Sequence, residues 1–74
     1  MRAFVVIRTE PGKSHEIAWQ VASLPGVKVA DACCSRDVLA VIEVRESQTL
    51  NKLVMDGIQR LEGVRETNTY IVIE

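Results

Sequence analysis

The sequence has few of the residue types from which most catalytic and metal sites are built. Its 74 residues include one histidine, two cysteines and one each of Trp, Tyr and Phe. No Gly-rich phosphate loop, Cys-x-x-Cys, His-Glu-x-x-His or Gly-x-Ser-x-Gly motif is present. Because the sequence has none of these common catalytic and metal-binding motifs, we predict a protein that is not an enzyme and has no cofactor and no bound metal.

No charge of one sign dominates the chain, and no long apolar run occurs. Nine basic and ten acidic residues give a formal net charge of −1, and the Lys and Arg residues are scattered along the sequence. Nucleic-acid binding needs a concentrated positive face. The apolar run Ala3–Ile7 is too short for a membrane span or a signal-peptide core. We therefore expect a cytoplasmic protein with no direct nucleic-acid contact and no membrane partner.

The two cysteines, Cys33 and Cys34, are adjacent in the sequence. A disulfide between neighbouring residues needs strained geometry and closes no useful loop. Successive strand residues also point to opposite faces, so the pair does not suit a single metal ion. We expect a reduced pair with one thiol buried.

Hydrophobic periodicity predicts the element order strand, helix, strand, strand, helix, strand. The strands are expected at residues 2–9, 27–34, 38–44 and 64–73, and the helices at about 13–24 and 47–61. The two halves echo each other, because Leu24-Pro25-Gly26-Val27 recurs as Leu61-Glu62-Gly63-Val64. Two split βαβ units form an α+β, ferredoxin-like βαββαβ fold: a four-stranded antiparallel sheet with both helices on one face. Gly57 inside the second helix is expected to allow a close approach to the sheet.

The first and third predicted strands are apolar on both of their faces. An antiparallel sheet with one solvated face would alternate apolar and polar residues. The apolar residues on the second face are Phe4, Val6, Leu39 and Val41. Such a face exceeds the apolar patch that monomers usually expose. The sequence therefore predicts at least a homodimer joined through the sheet face, a dimeric α/β sandwich.

Short polar side chains concentrate at the predicted hairpin and at the start of the last strand. The hairpin offers a hydroxyl, a guanidinium and a carboxylate, which together suit the charged ends of a free amino acid. Polar hairpin tips and strand threonines also occur for structural reasons alone. The six candidate ligand-binding residues are Ser35, Arg36, Asp37, Thr67, Asn68 and Thr69.

Several segments together resemble a known family. They are the turn Glu10–Lys13, the Leu-Pro-Gly-Val corner and the closing strand Gly63–Val72, where Gly-Val precedes spaced threonines and an apolar end. The chain resembles, over essentially its whole length, the effector-binding (RAM) domain of the Lrp/AsnC feast/famine transcriptional regulators. The resemblance implies a homodimer through the sheet face, rings of dimers, and amino-acid effectors held between dimers.

Full regulators of that family place a helix-turn-helix before this domain, whereas this chain begins at the first strand. The resemblance thus implies a stand-alone domain over residues 1–74, without a DNA-binding domain, that acts on transcription by co-assembling with full-length regulators. The family hairpin commonly reads Gly, a variable residue, an aromatic and Asp. Asp37 matches the Asp, Arg36 stands where an aromatic is common, and Ser35 or Cys34 stands where Gly is usual.

Two other functions are open at this point. Dimeric ferredoxin-like domains include small cofactor-free monooxygenases, for which His15 and Trp19, four residues apart on the first helix, would be the candidate pair. That hypothesis needs an enclosed pocket beside the helix. The alternative is a peptide-binding chaperone that uses a sheet edge or the exposed sheet face.

Overall fold

The computed structural model describes residues 1–73 and confirms the predicted ferredoxin-like fold. Its elements are β1 (Arg2–Thr9), α1 (Ser14–Ala22), β2 (Val27–Cys33), β3 (Asp37–Glu43), α2 (Ser47–Lys52), a π-helical segment (Leu53–Ile58) and β4 (Val64–Ile71). The strands lie in the order β2-β3-β1-β4, and every neighbouring pair is antiparallel. The two central strands are therefore β1 and β3, and β2 and β4 form the edges.

The core lies between one face of the sheet and the two helical elements. Alternate residues of β1 and β3 are buried because successive strand side chains point to opposite faces. The helical residues buried against them are Ile17, Ala18, Val21, Leu50, Val54 and Ile58. Both helical elements therefore cover the same face, as predicted. No helix within residues 1–73 is long and apolar enough to cross a membrane.

The second helical element departs from the prediction of one helix extending to Leu61. It changes to π winding after Lys52, and the Gln59 N–H donates to the Val54 carbonyl over 2.8 Å, a five-residue step. Leu50, Val54 and Ile58 are spaced by four, which overshoots an α turn of 3.6 residues. The wider π turn offsets this drift, so that all three side chains remain buried.

Gly57 makes its close approach to Leu24, which follows α1, and not to the sheet as expected. A Cβ atom added at Gly57 would lie 3.4 Å from Leu24 Cδ1 and 3.5 Å from Leu53 Cδ1. The glycine therefore lets the π-helical segment pack against the corner after α1.

The three-residue loop of the β2–β3 hairpin lies one residue earlier than predicted, because β2 ends at Cys33 and Asp37 is the first residue of β3. Cys34 lies in the turn with a φ of 59°, the only positive φ of a non-glycine residue within residues 1–73. The prediction of one buried thiol is wrong: Cys33 is half-buried on β2, Cys34 is exposed, and both are free thiols. Their positions at the strand end and in the turn keep both out of the core.

We predict that Cys34→Gly stabilises the protein. A side chain in the left-handed region is strained, whereas glycine adopts it freely, so the free energy of unfolding should rise by about 0.5–1 kcal/mol. Urea denaturation measures the change. Cys34→Ala is the matched control, because it removes the thiol and keeps Cβ. An equal gain in both variants would assign the effect to the thiol and contradict the prediction.

Candidate functional site

The face of the sheet that carries no helix, here called the open face, is apolar at its centre. Directly paired residues of an antiparallel sheet share a face, and Phe4 pairs with both Val41 and Tyr70 while Val6 pairs with Leu39. Exposure reaches 38% for Phe4, 44% for Leu39 and 59% for Tyr70. The predicted second apolar face is therefore present and uncovered in the protomer.

One end of the open face, beside the β2–β3 hairpin, is polar and charged. Arg8 lies between Asp37 on β3 and Glu66 on β4 in the strand register. Its Nε atom is 3.5 Å from Asp37 Oδ1, and the Asn68 amide donates to Glu66 Oε2 over 3.3 Å. Because both side chains of the ion pair are partly exposed, it contributes little to stability. It places the Arg8 guanidinium beside the Asp37 carboxylate at this end of the open face.

The backbone of the hairpin is anchored to the turn between β1 and α1. The Thr9 N–H donates to the Arg36 carbonyl over 2.6 Å, and the Gly12 N–H donates to the Ser35 carbonyl over 2.9 Å. The buried Ser14 hydroxyl donates to the Cys34 carbonyl over 2.8 Å. Three successive carbonyls are thus occupied, while the side chains of Ser35 and Arg36 are exposed. The tip presents its polar side chains from a fixed backbone.

The candidate residues of β4 lie on both sides of the sheet. Thr67 and Thr69 pair with the core residues Ile7 and Val5, so they lie on the helix side, whereas Asn68 lies on the open face. Gln59 Nε2 donates to the Thr67 hydroxyl over 2.8 Å. Since β1 separates β3 from β4, about 10 Å also lies between Asp37 and this strand. One protomer therefore does not gather all six candidate residues on one surface.

Three supporting residues of this region were not singled out from the sequence. Arg8 could have been found, because an antiparallel pairing of the first and third strands places it opposite Asp37. Ser14 and Gln59 had no such signal. Their contacts depend on the hairpin geometry and on the π-helical segment.

His15 and Trp19 occupy the outer surface of α1. Trp19 is 81% exposed and His15 is exposed as well. The enclosed pocket that the monooxygenase hypothesis requires is therefore not formed around this pair by the part of the protomer that the structure describes.

A known family model matches the sequence of this chain. The model of the Lrp/AsnC ligand binding domain covers residues 2–74. The chain belongs to this family. The resemblance drawn from the turn, the corner and the last strand is thereby confirmed.

Relatives of this domain include longer regulators. An uncharacterized HTH-type transcriptional regulator of Pyrococcus abyssi is 30% identical over 71 residues, which are 95% of this chain and 45% of the relative. The HTH-type transcriptional regulator FL11 of Pyrococcus furiosus is 32% identical over 73 residues, 97% of this chain and 48% of the relative. The chain thus spans about half the length of the curated relatives it matches.

A solved structure agrees closely with this fold over nearly the whole of both chains. A protein of Thermus thermophilus superposes with a TM-score of 0.90 at 28% identity, covering 99% of this chain and 92% of that one.

Proposed function

We propose that this Lrp/AsnC domain is a cytoplasmic, oligomeric module that binds an amino-acid effector and catalyses no reaction. The observation that carries the proposal is the apolar open face, with Phe4, Leu39 and Tyr70 all more than a third exposed. A single domain of 74 residues has a small core and gains stability from a partner. A second copy is the partner that is always available at equal concentration, and it covers this face in a homodimer.

The effector site is proposed between protomers at the hairpin end of the sheet. Arg36 is exposed and suits a ligand carboxylate, and Asp37 suits a ligand ammonium group. Thr67 and Thr69 lie on the other side of the sheet, so a neighbouring protomer is needed to bring the two groups of candidate residues to one ligand. This requirement supports effector binding between dimers of a larger ring.

Amino-acid binding is expected to depend on Asp37. In a thermal-shift screen of the twenty amino acids, the effector should stabilise the protein by about 2.7 kcal/mol at a hundredfold excess over its dissociation constant. Asp37→Asn preserves shape and removes the charge, and it should abolish this stabilisation. Asp56→Asn, which changes an exposed carboxylate on the π-helical segment, is the matched control and should retain it.

If no amino acid stabilises a well-formed oligomer in this screen, the protein does not bind an amino-acid effector, and only a role in assembly remains. Equal loss in both variants would show that Asp37 has no special part. Far-UV circular dichroism distinguishes either result from a loss of folding.

The module is further proposed to modulate transcription by joining the oligomers of longer Lrp/AsnC regulators through equivalent open faces. Native mass spectrometry of the domain mixed with such a regulator should then reveal hybrid species. A mixture that contains only the two separate homo-oligomers would refute co-assembly.

Peptide binding is a second candidate function, and the edge strand β4 favours it. Tyr70 and Ile71 at its end are 59% and 50% exposed, and Ile73, which follows the strand, is 93% exposed. An exposed edge accepts an extended peptide as an added strand. Titration with an extended peptide should shift the NMR amide signals of β4 under this alternative and leave them unchanged under the first.

A further inference from the structure

A groove of about 540 Å³ lies at the end of the sheet opposite the hairpin. It is formed where β1 begins and β3 ends, and its charged lining residues are Arg2, Lys28, Glu43 and Arg45. Its volume falls within the range of small-molecule sites, about 300–1,000 Å³. Arg2 and Arg8 stand at opposite ends of β1, so roughly 20 Å separates the groove from the hairpin. The groove is distinct from the proposed effector site.

The groove is basic although the chain as a whole is slightly acidic. Three basic side chains line it with one carboxylate, whereas the whole chain carries nine basic and ten acidic residues. Within residues 1–73 the one ion pair is that of Arg8 with Asp37, so no carboxylate there lies within 4.0 Å of the basic groups of Arg2, Lys28 or Arg45. The side chains of the groove therefore have an excess of two positive charges, and the α-amino group of the lining residue Met1 adds to it.

The sheet determines the positions of Arg2 on the central strand β1 and of Lys28 on the edge strand β2. The β2–β3 register shifts between Val27 and Val29, which leaves Lys28 as the unpaired residue of a β-bulge. Bulges re-aim side chains and occur frequently beside binding sites. The Arg2 guanidinium carbon lies 5.7 Å from the centroid of the Phe4 ring, a cation–π contact that holds it at the groove. Two main-chain hydrogen bonds join the lining segments of the groove. The Val44 N–H donates to the Met1 carbonyl, and the Val72 N–H donates to the Arg2 carbonyl.

We propose that this groove binds the phosphate group of a small phosphorylated molecule. A phosphomonoester carries about −1.5 to −2 charges at neutral pH, which the positive charges of the groove can neutralise. Two arginines supply forked donors for its oxygens, and Lys28 supplies a point charge. A free amino acid is a poorer match, because its own ammonium group would add a further positive charge. A nucleic-acid strand is a poorer match because the basic residues occupy one end of a short sheet.

The test is an NMR titration of the oligomeric protein with inorganic phosphate and, separately, with glycerol phosphate at constant ionic strength. We expect saturable shifts of the amide signals of Arg2, Lys28 and Arg45. Glycerol phosphate should bind more tightly than inorganic phosphate, because the groove is larger than one phosphate group. A reversed order would assign the groove to the free ion and overturn a site for phosphorylated molecules.

Arg45→Ala should weaken the binding of both probes at least tenfold. Arg60→Ala is the matched control, since it removes the same charge from an exposed residue outside the groove. If Arg45→Ala does not fold by circular dichroism, Lys28→Gln is measured in its place with the same expectation. Absence of saturation, shifts spread evenly over all basic residues, or equal weakening in Arg60→Ala would each overturn the proposal.

Discussion

Leu39→Lys is expected to convert the proposed oligomer into folded monomers. Leu39 lies on the central strand β3, pairs with Val6 and is 44% exposed on the open face of the protomer. A lysine there remains solvated in a monomer, so the fold should change in stability by no more than about 0.5 kcal/mol. In a face-to-face dimer the same ammonium group would have to be desolvated, at a cost of several kcal/mol, although Asp31 lies opposite it on β2. The dimer dissociation constant should therefore rise at least a hundredfold.

Sedimentation equilibrium measures the mass of this variant, and circular dichroism measures its fold. Met55→Lys is the matched control, because Met55 is 60% exposed and lies on the π-helical segment on the other side of the sheet. The control should keep the mass of the wild type. A Leu39→Lys protein that retains the wild-type mass would show that the open face is not the interface.

Ile7→Ala is expected to cost most of the stability of the domain. Ile7 is fully buried on the central strand β1, where Val38 and Thr67 flank it on the neighbouring strands. Truncating a buried isoleucine to alanine costs about 2–5 kcal/mol through lost burial and the cavity that remains. A domain of this size has a total stability near the lower end of about 5–15 kcal/mol. Urea denaturation should therefore show an unfolding midpoint close to zero denaturant.

Two substitutions calibrate this result. Ile7→Val removes one methyl group and should cost about 0.5–1.5 kcal/mol. Ile71→Ala changes a residue that is 50% exposed near the end of β4 and should cost less than Ile7→Ala. Ile71 pairs with Ala3 and so lies on the helix side as Ile7 does, but at an exposed position. If Ile7→Ala and Ile71→Ala cost the same, the burial of Ile7 does not account for its cost.

The strands were predictable because their apolar residues follow a period of two and Pro or Gly marks the corners. β1 begins and ends where the pattern placed it, and Gly26 and Gly63 both adopt positive φ at the repeated helix-to-strand corner. The π winding after Lys52 was not predictable. Apolar residues that recur every four positions are compatible with an α-helix, and it is five-residue hydrogen bonding, such as that from Gln59 to Val54, that distinguishes the π winding.

The candidate residues could be chosen from the sequence by chemical type, but their grouping could not. The strand register decides that Asp37 and Asn68 share the open face while Thr67 lies on the helix side. The grouping of the residues that line the basic groove likewise depends on the strand register. Residues that are scattered along the sequence meet at one end of the sheet, because β1 begins where β3 ends and a bulge turns Lys28 out of register.

The mass of the wild-type protein in solution tests most directly whether a second copy covers the open face. Light scattering at micromolar concentration should give an even multiple of the 8.2 kDa protomer mass, with Phe4, Leu39 and Tyr70 protected from solvent in the assembly. A mass of one protomer that persists across a dilution series would contradict the dimer and, with it, the proposed site between dimers.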